Sequence, residues 1–183
     1  NLLAKMPLFY KMLNALFQSV TPRTAGFNSM VENDLTLPSK FFTMFLMFTG
    51  GAPGGTAGGV KVTTMFILFM YVLKGQNESA VIQFAHRRLS VKTISSTTLF
   101  VSKAIALLFL CIFLLTITEA RRLAAGDASL AMLMFETISA FGTVGLSLGV
   151  TPSLSMAGKL VIIFTMFAGR IGLITMAMPA AAR

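Results

Sequence analysis

Thr24-Ala25-Gly26-Phe27-Asn28 and Thr143-Val144-Gly145-Leu146-Ser147 read as two copies of one stretch. Each follows an apolar segment that ends among Ser and Thr: Phe17-Gln18-Ser19-Val20-Thr21 before the first, Phe135-Glu136-Thr137-Ile138-Ser139 before the second. Each precedes a Met-Phe-X-Gly step at the same distance. Thr24 lies 23 residues before Met47, and Thr143 lies 23 before Met166. One Thr-X-Gly tripeptide says little. Two, with matching neighbours at equal spacing and an offset of 119 residues, mark an internal repeat. Glycine lets such a stretch run extended with its carbonyls aimed at an axis, where those oxygens can replace the water around a cation. The competing reading is an ordinary glycine turn between helices.

Composition decides the solvent. The 183 residues are 55% hydrophobic and only 11% charged, and mean hydropathy is +0.80. A soluble domain carries about 25% charged residues, so the chain is expected to be an all-α membrane protein. One cysteine, Cys111, lies in an apolar run and excludes a disulfide framework. The net charge of +9 would point to nucleic acid in a soluble protein. Here the Lys and Arg residues flank apolar spans, and membrane topology accounts for them without a nucleic-acid partner.

Working outward, Met6 to Thr21 is apolar but too short for about 30 Å of hydrocarbon, which needs about 20 residues. A re-entrant half-membrane helix is expected, stopped by Pro22. The backbone from Arg23 to Asn28 is then non-helical within the membrane, which requires a protein-lined or wet cavity. Ser29 to Lys40 reads as a loop in water. Phe41 to Leu73 would be about 50 Å long as one helix. Six glycines and Pro53 between Gly50 and Gly59 break it into two half-helices; an aqueous linker is the competing reading. Lys74 to Ser96 is basic and expected to be cytoplasmic. Thr97 to Thr118 is a full span, Glu119 to Ser129 an outer loop, Leu130 to Ala140 a second short re-entrant helix, and Met156 to Met178 a last span. Residues 1–73 thus form an incomplete repeat, 74–96 a linker and 97–183 a complete repeat of span, short helix, filter loop and span. The opening at Asn1, with no span ahead of the first copy, is expected of a fragment.

Three groups of residues carry chemistry. Thr24, Ala25, Gly26 and Phe27, with Thr143, Val144, Gly145 and Leu146, are the candidate ion filter, holding a cation at backbone carbonyls. Both short helices would direct their C-terminal ends, each with about half a negative charge, toward the pore centre. Gly50, Gly51, Pro53, Gly54, Gly55, Thr56, Gly58, Gly59 and Lys61 form a candidate gating loop. Arg170, in Gly169-Arg170-Ile171-Gly172, aligns with Gly51 across the repeat and reads as a fixed charge beside that loop. A charge inside a span costs roughly 3 kcal/mol or more and normally faces a cavity or a partner; snorkelling to the surface is the alternative. Glu136, on the second short helix, either supports the filter loop by accepting hydrogen bonds or adds negative potential. His86, the only histidine, sits in the basic linker with no second ligand beside it.

These residues resemble the KtrB-type subunits of the Ktr/Trk/HKT family of potassium transporters, over essentially the whole chain. Val20 to Asn28 is similar to the family's third filter segment and Phe135 to Ser147 to its fourth. Gly55-Thr56-Ala57-Gly58-Gly59-Val60-Lys61 is similar to the end of its intramembrane gating loop, and Gly169-Arg170-Ile171-Gly172 to its last-helix arginine motif. The resemblance implies four span–filter–span repeats around a pseudo-fourfold pore. It implies potassium as transported ion, often with sodium dependence, and no covalent cofactor. It implies a homodimer in the plasma membrane and a cytoplasmic nucleotide-binding regulatory subunit of the KtrA/TrkA type. This chain departs from the pattern in holding about one and three-quarter repeats, and in Pro53, which stiffens the loop. A non-conducting scaffold and an intramembrane enzyme are the other classes. The second lacks paired carboxylates or a nucleophile with its base within the spans.

Overall fold

The computed structural model describes residues 6–55, 57–74, 82–84, 87–89 and 91–171. Seven helices follow in chain order among them: α1 (Leu8–Val20), α2 (Leu37–Phe48), α3 (Val62–Lys74), α4 (Val91–Thr118), α5 (Ala120–Ala125), α6 (Leu130–Gly142) and α7 (Met156–Ile171). Strands β1 (Ile82–Phe84) and β2 (Arg87–Leu89) pair antiparallel between α3 and α4. His86, Thr56 and everything after Ile171 lie outside the described residues.

Local chemistry sets the helix ends. Pro7 precedes the first turn of α1, and Pro38 occupies the first turn of α2, where a missing N–H costs nothing. Ser129 caps α6 by accepting from the Met132 amide at 3.3 Å. Gly126, at φ 80°, closes α5 in the left-handed conformation that favours glycine. Helix α4 begins at Val91, six residues ahead of the apolar run. Thr98 Oγ1 donates to Ile94 O at 3.0 Å, so a hydroxyl is satisfied within the helix.

Length and surface agree with a bilayer. Among the described residues, α4 is long and apolar enough to cross a membrane; its 28 residues reach about 42 Å. Helices α1, α2, α3 and α6 have 12 or 13 residues each and reach about 20 Å. Leu8, Phe9, Phe42, Phe69, Phe109 and Phe167 are all exposed, with many other large apolar side chains. In water such a surface would associate; against lipid it is the ordinary exterior. Helix α1 has no buried residue.

Helix α6 is the centre, packed against α2, α4 and α7. Leu133, Ala140, Val150, Leu154 and Ile162 fill one side of it together with Leu115 of α4. Met44, Met47, Phe135, Val144, Leu146 and Leu148 fill another. Phe141 joins Val101, Ala104 and Leu108 of α4, with Val60 from the glycine-rich stretch, and stacks on Phe48 at 6.2 Å. Glycine allows the closest approach, since a Cβ on Gly169 of α7 would overlap the carbonyl of Phe141. At the N-terminal end of α7, buried Glu119 accepts from the Ser155 amide at 2.9 Å, and Ser155 Oγ accepts from the Gly158 amide at 3.0 Å.

Gly169→Ala is expected to destabilise the protein by at least the overpacking cost of about 1–3 kcal/mol. Gly126→Ala, in open space, should cost only about 1 kcal/mol for its backbone angle. Thermal unfolding of the two variants in detergent checks the order; a larger drop for Gly126→Ala would refute this account of the α6–α7 contact.

Candidate functional site

The helix ends before the two Thr-X-Gly segments turn the chain the same way. Thr24 (φ 68°) and Thr143 (φ 51°) are the two non-glycine residues with positive φ among those described. Threonine disfavours that conformation, so the surrounding structure imposes it. Around Thr143 the imposition comes from the last turn of α6: the Thr143 amide donates to Ala140 O at 3.1 Å and the Val144 amide to Ser139 O at 3.0 Å. Two residues on, Gly26 (φ 74°) and Gly145 (φ 93°) are also left-handed. The 119-residue offset carries more than this pair. It superposes the 3-10 turn Glu32–Asp34 on Thr151–Ser153, and the first residue of α2 on the first of α7.

The two segments touch. A Cβ on Gly26 would overlap Val144 O, and one on Gly145 would lie 3.8 Å from Gly26 Cα. Thr24 Oγ1 donates to Gly142 O at 3.3 Å. Behind each segment a hydroxyl from the helix end holds the carbonyl that follows the glycine. Thr21 Oγ1 donates to Phe27 O at 2.6 Å, and Ser139 Oγ to Leu146 O at 2.6 Å. Among the described residues no donor reaches the carbonyls of Thr24, Ala25, Gly26, Thr143, Val144 or Gly145. No protein donor therefore competes for these six oxygens, of which Val144 O lies against Gly26.

The glycine-rich stretch packs directly on the second segment. Its ends are zipped together: Gly50 N donates to Val60 O at 2.7 Å and Val60 N to Phe48 O at 3.1 Å. Its Gly58 amide donates to Thr143 Oγ1 at 2.9 Å. A Cβ on Gly58 would come within 2.7 Å of the Thr143 side chain. Gly50 abuts Gly58 O with no room for a Cβ. Ala52, Pro53, Gly54 and Gly55 form an exposed tip. Lys61 Nζ turns back onto Ala57 O at 2.5 Å and Gly55 O at 3.4 Å. Gly51 is half-buried, and the Val62 amide donates to its carbonyl at 3.3 Å. Gly59, at φ 71°, passes close to Phe48 O and Gly142 Cα. Arg170 follows the tightly packed Gly169 and lies on an exposed face of the last described turn of α7.

Buried carboxylates back the outer ends. Glu136 is 5% exposed. Its Oε1 accepts from Ser147 Oγ at 2.6 Å and from the Leu148 amide at 2.9 Å, and its Oε2 from Thr151 Oγ at 2.6 Å. Glu32, which the sequence placed in a watery loop, is only 2% exposed. Burial pushes its carboxyl above the usual range, and the Gln18 hydrogen bond offsets only part of that. The sequence reading missed Glu32 and Gln18. The signal for them was present, since the offset that joins the two Thr-X-Gly segments also places Glu32 on Thr151. A cavity of about 950 Å³ opens beside the two segments, lined by Asn28 and Ser147 among others.

A family model described as TrkH, a cation transport protein, matches residues 1–183. The chain belongs to the TrkH family. It is 41% identical over 171 residues to the Ktr system potassium uptake protein B of Bacillus subtilis, covering 90% of this chain and 36% of that one. It is 40% identical over 168 residues to the potassium/sodium uptake protein NtpJ of Enterococcus hirae, with the same coverage of 90% and 36%. The chain thus spans about a third of the length of these relatives (36%). The crystal structure of the potassium transporter TrkH from Vibrio parahaemolyticus superposes with a TM-score of 0.75 at 21% identity, covering 98% of this chain and 40% of that one. The TrkH fold is therefore shared.

Two outcomes are expected of this TrkH-family site. Glu136→Ala leaves the buried Leu148 amide without its acceptor, at about 1–3 kcal/mol, and should lower the unfolding temperature in detergent. An unchanged value would mean that the segment after Gly145 is held by other contacts. A raised carboxyl stabilises the fold at acid pH and loses that contribution as pH rises from the ordinary carboxylate value through the folded one. The stability of the wild type relative to Glu32→Gln should therefore fall as pH is raised from about 4. A difference that stays flat or grows would show that burial does not control Glu32.

Proposed function

We propose that this chain supplies the third and fourth repeats of the pore-forming subunit of a Ktr/Trk-type potassium transporter of the plasma membrane. The observation that carries this reading is the abutting pair of Thr-X-Gly segments. They share two left-handed positions, stand at the ends of 13-residue helices and keep six carbonyl oxygens clear of protein donors. Such oxygens replace the hydration shell of a bare cation. The negative C-terminal ends of α1 and α6 add to the attraction. Two further segments of the same kind, in the rest of the transporter, complete the ring. No chemical reaction is involved.

The glycine-rich stretch lies under the second segment and is the gate in this reading. Gly58 anchors it to Thr143, and its exposed tip is tied back by the Lys61 ammonium on Gly55 O and Ala57 O, so that drawing it aside breaks that contact. Arg170, on the last helix, repels a cation leaving the filter. Helix α3 leads from the gate to the basic cytoplasmic linker. A nucleotide-binding regulatory subunit of the KtrA/TrkA type and a second copy of the full subunit are the partners. The Bacillus relative is named as potassium uptake protein B of a Ktr system. The Enterococcus relative is named for both potassium and sodium, which supports a role for sodium as transported or coupling ion.

Gly145→Ser tests the filter, because space is available there and only the left-handed backbone opposes the side chain. The strain of about 1–2 kcal/mol should weaken potassium affinity or its preference over sodium by about tenfold. Uptake and ion competition are measured in the full-length transporter in cells lacking other potassium uptake. Unchanged competition at equal expression would reject the filter. Removing Pro53–Gly55, or changing Arg170 to Ala, should raise the maximal rate and alter apparent affinity less. If neither variant raises the rate, the stretch is a packing hinge rather than a barrier.

A further inference from the structure

We propose that Gln18 and Glu32 form a positioning clamp for the first Thr-X-Gly segment, the counterpart of the Glu136 clamp with acid and partner exchanged between elements. This rests on reading the segments as an ion filter. In the second copy the helix carries the acid: Glu136 of α6 accepts from Thr151 in the 3-10 turn beyond the filter, 15 residues on. In the first copy the turn carries the acid. Gln18 Nε2 of α1 donates to Glu32 at 2.8 Å and 2.9 Å, one bond to each carboxylate oxygen, across 14 residues. Glu32 stands at the position of Thr151 under the 119-residue offset. Gln18 stands one residue beyond the position of Glu136.

The exchange preserves what a filter needs. Each clamp closes a ring of covalent chain and hydrogen bonds that contains one Thr-X-Gly segment. Inside each ring lies the same second bond, from Thr21 to Phe27 O and from Ser139 to Leu146 O. The carbonyls that face an ion repel one another and are drawn inward by the ion. They keep their spacing only if the chain behind them cannot give. The first ring depends more on its clamp than the second does. Helix α6 is surrounded by α2, α4 and α7, whereas α1 has no buried residue. Among the described residues, the Gln18–Glu32 contact is the hydrogen bond that joins a side chain of α1 to the chain beyond the filter. Gln18 leaves its own Oε1 buried without a partner among the described residues, a cost that its two bonds to Glu32 must offset.

The position is a specificity-determining one, so its test reads ion discrimination as well as protein amount. Potassium uptake and sodium competition are measured in the full-length transporter, in cells without other potassium uptake, for Gln18→Leu, for the double exchange Gln18→Glu with Glu32→Gln, and for Gly145→Ser. Gln18→Leu should raise the apparent KM for potassium, or lose discrimination against sodium, by about fivefold to tenfold, with a smaller change in maximal rate. The exchange, which gives the first copy the polarity of the second, should return both to within about twofold of wild type. Should Gln18→Leu fail to reach the membrane, Gln18→Asn opens the same contact by shortening the side chain and is judged by the same outcomes. If Gly145→Ser alters discrimination and the Gln18 variant does not, the clamp falls while the filter stands. If neither alters it, the filter reading fails and takes the clamp with it. If the exchange restores only the amount of protein in the membrane, the contact is structural and the proposal is overturned.

Discussion

Backbone that leaves the helix inside an apolar layer must find partners for its amides without water. Helices α1 and α6 both end in irregular backbone, and the rest of the structure supplies its partners. The answer is concentrated at Gly142 and Thr143. Gly142 O accepts from Thr24, Thr143 Oγ1 accepts from Gly58, and a Cβ on Gly142 would lie 2.6 Å from Met47 O. Three irregular stretches, far apart in sequence, thereby satisfy one another. Two threonine hydroxyls make these bonds, and the approach is close enough that glycine occupies Gly26, Gly50, Gly58 and Gly142, where main chain meets main chain or the Thr143 side chain.

The same constraint explains where the acids lie. Glu32, Glu119 and Glu136 are 5% exposed or less, although ionisable groups are costly in such places. Each is spent on donors that leave a helix or turn: Gln18 for Glu32, the Ser155 amide for Glu119, and two hydroxyls with an amide for Glu136. Hydrogen bonds to charged groups are worth about 1.5–3 kcal/mol each, enough to fix short loops that apolar packing alone would leave loose.

Much of this was legible before any coordinates. Glycine and proline density announced the break between α2 and α3, and the spacing of the Thr-X-Gly pair announced their equivalence. The left-handed threonines were not legible, because a β-branched residue gives no sign of positive φ; the helix termini impose it. Nor was the start of α4. Val91 to Ser96 read as linker, and only the fold shows the helix beginning there, with the Thr98 hydroxyl bonding back to Ile94 O. Glu32 was hidden for a different reason. A charge among Asn33, Asp34 and Pro38 reads as solvated, and only the fold shows it turned inward on Gln18. Residue type reports what a side chain could do in water, whereas here the neighbours decide.

Lys61 has a consequence of another kind. Its ammonium group rests on Ala57 O and Gly55 O while its backbone leads into the first turn of α3. An ammonium seated on carbonyls is a cation on a leash of four methylenes. It occupies two carbonyl oxygens of the glycine-rich stretch, which thereby carries its own cation. The leash also has a length. A rigid shift of α3 by more than the slack in one side chain must either drag the tip of the stretch with it or break a charged contact, which adds a side-chain link to the bond of the Val62 amide on Gly51 O.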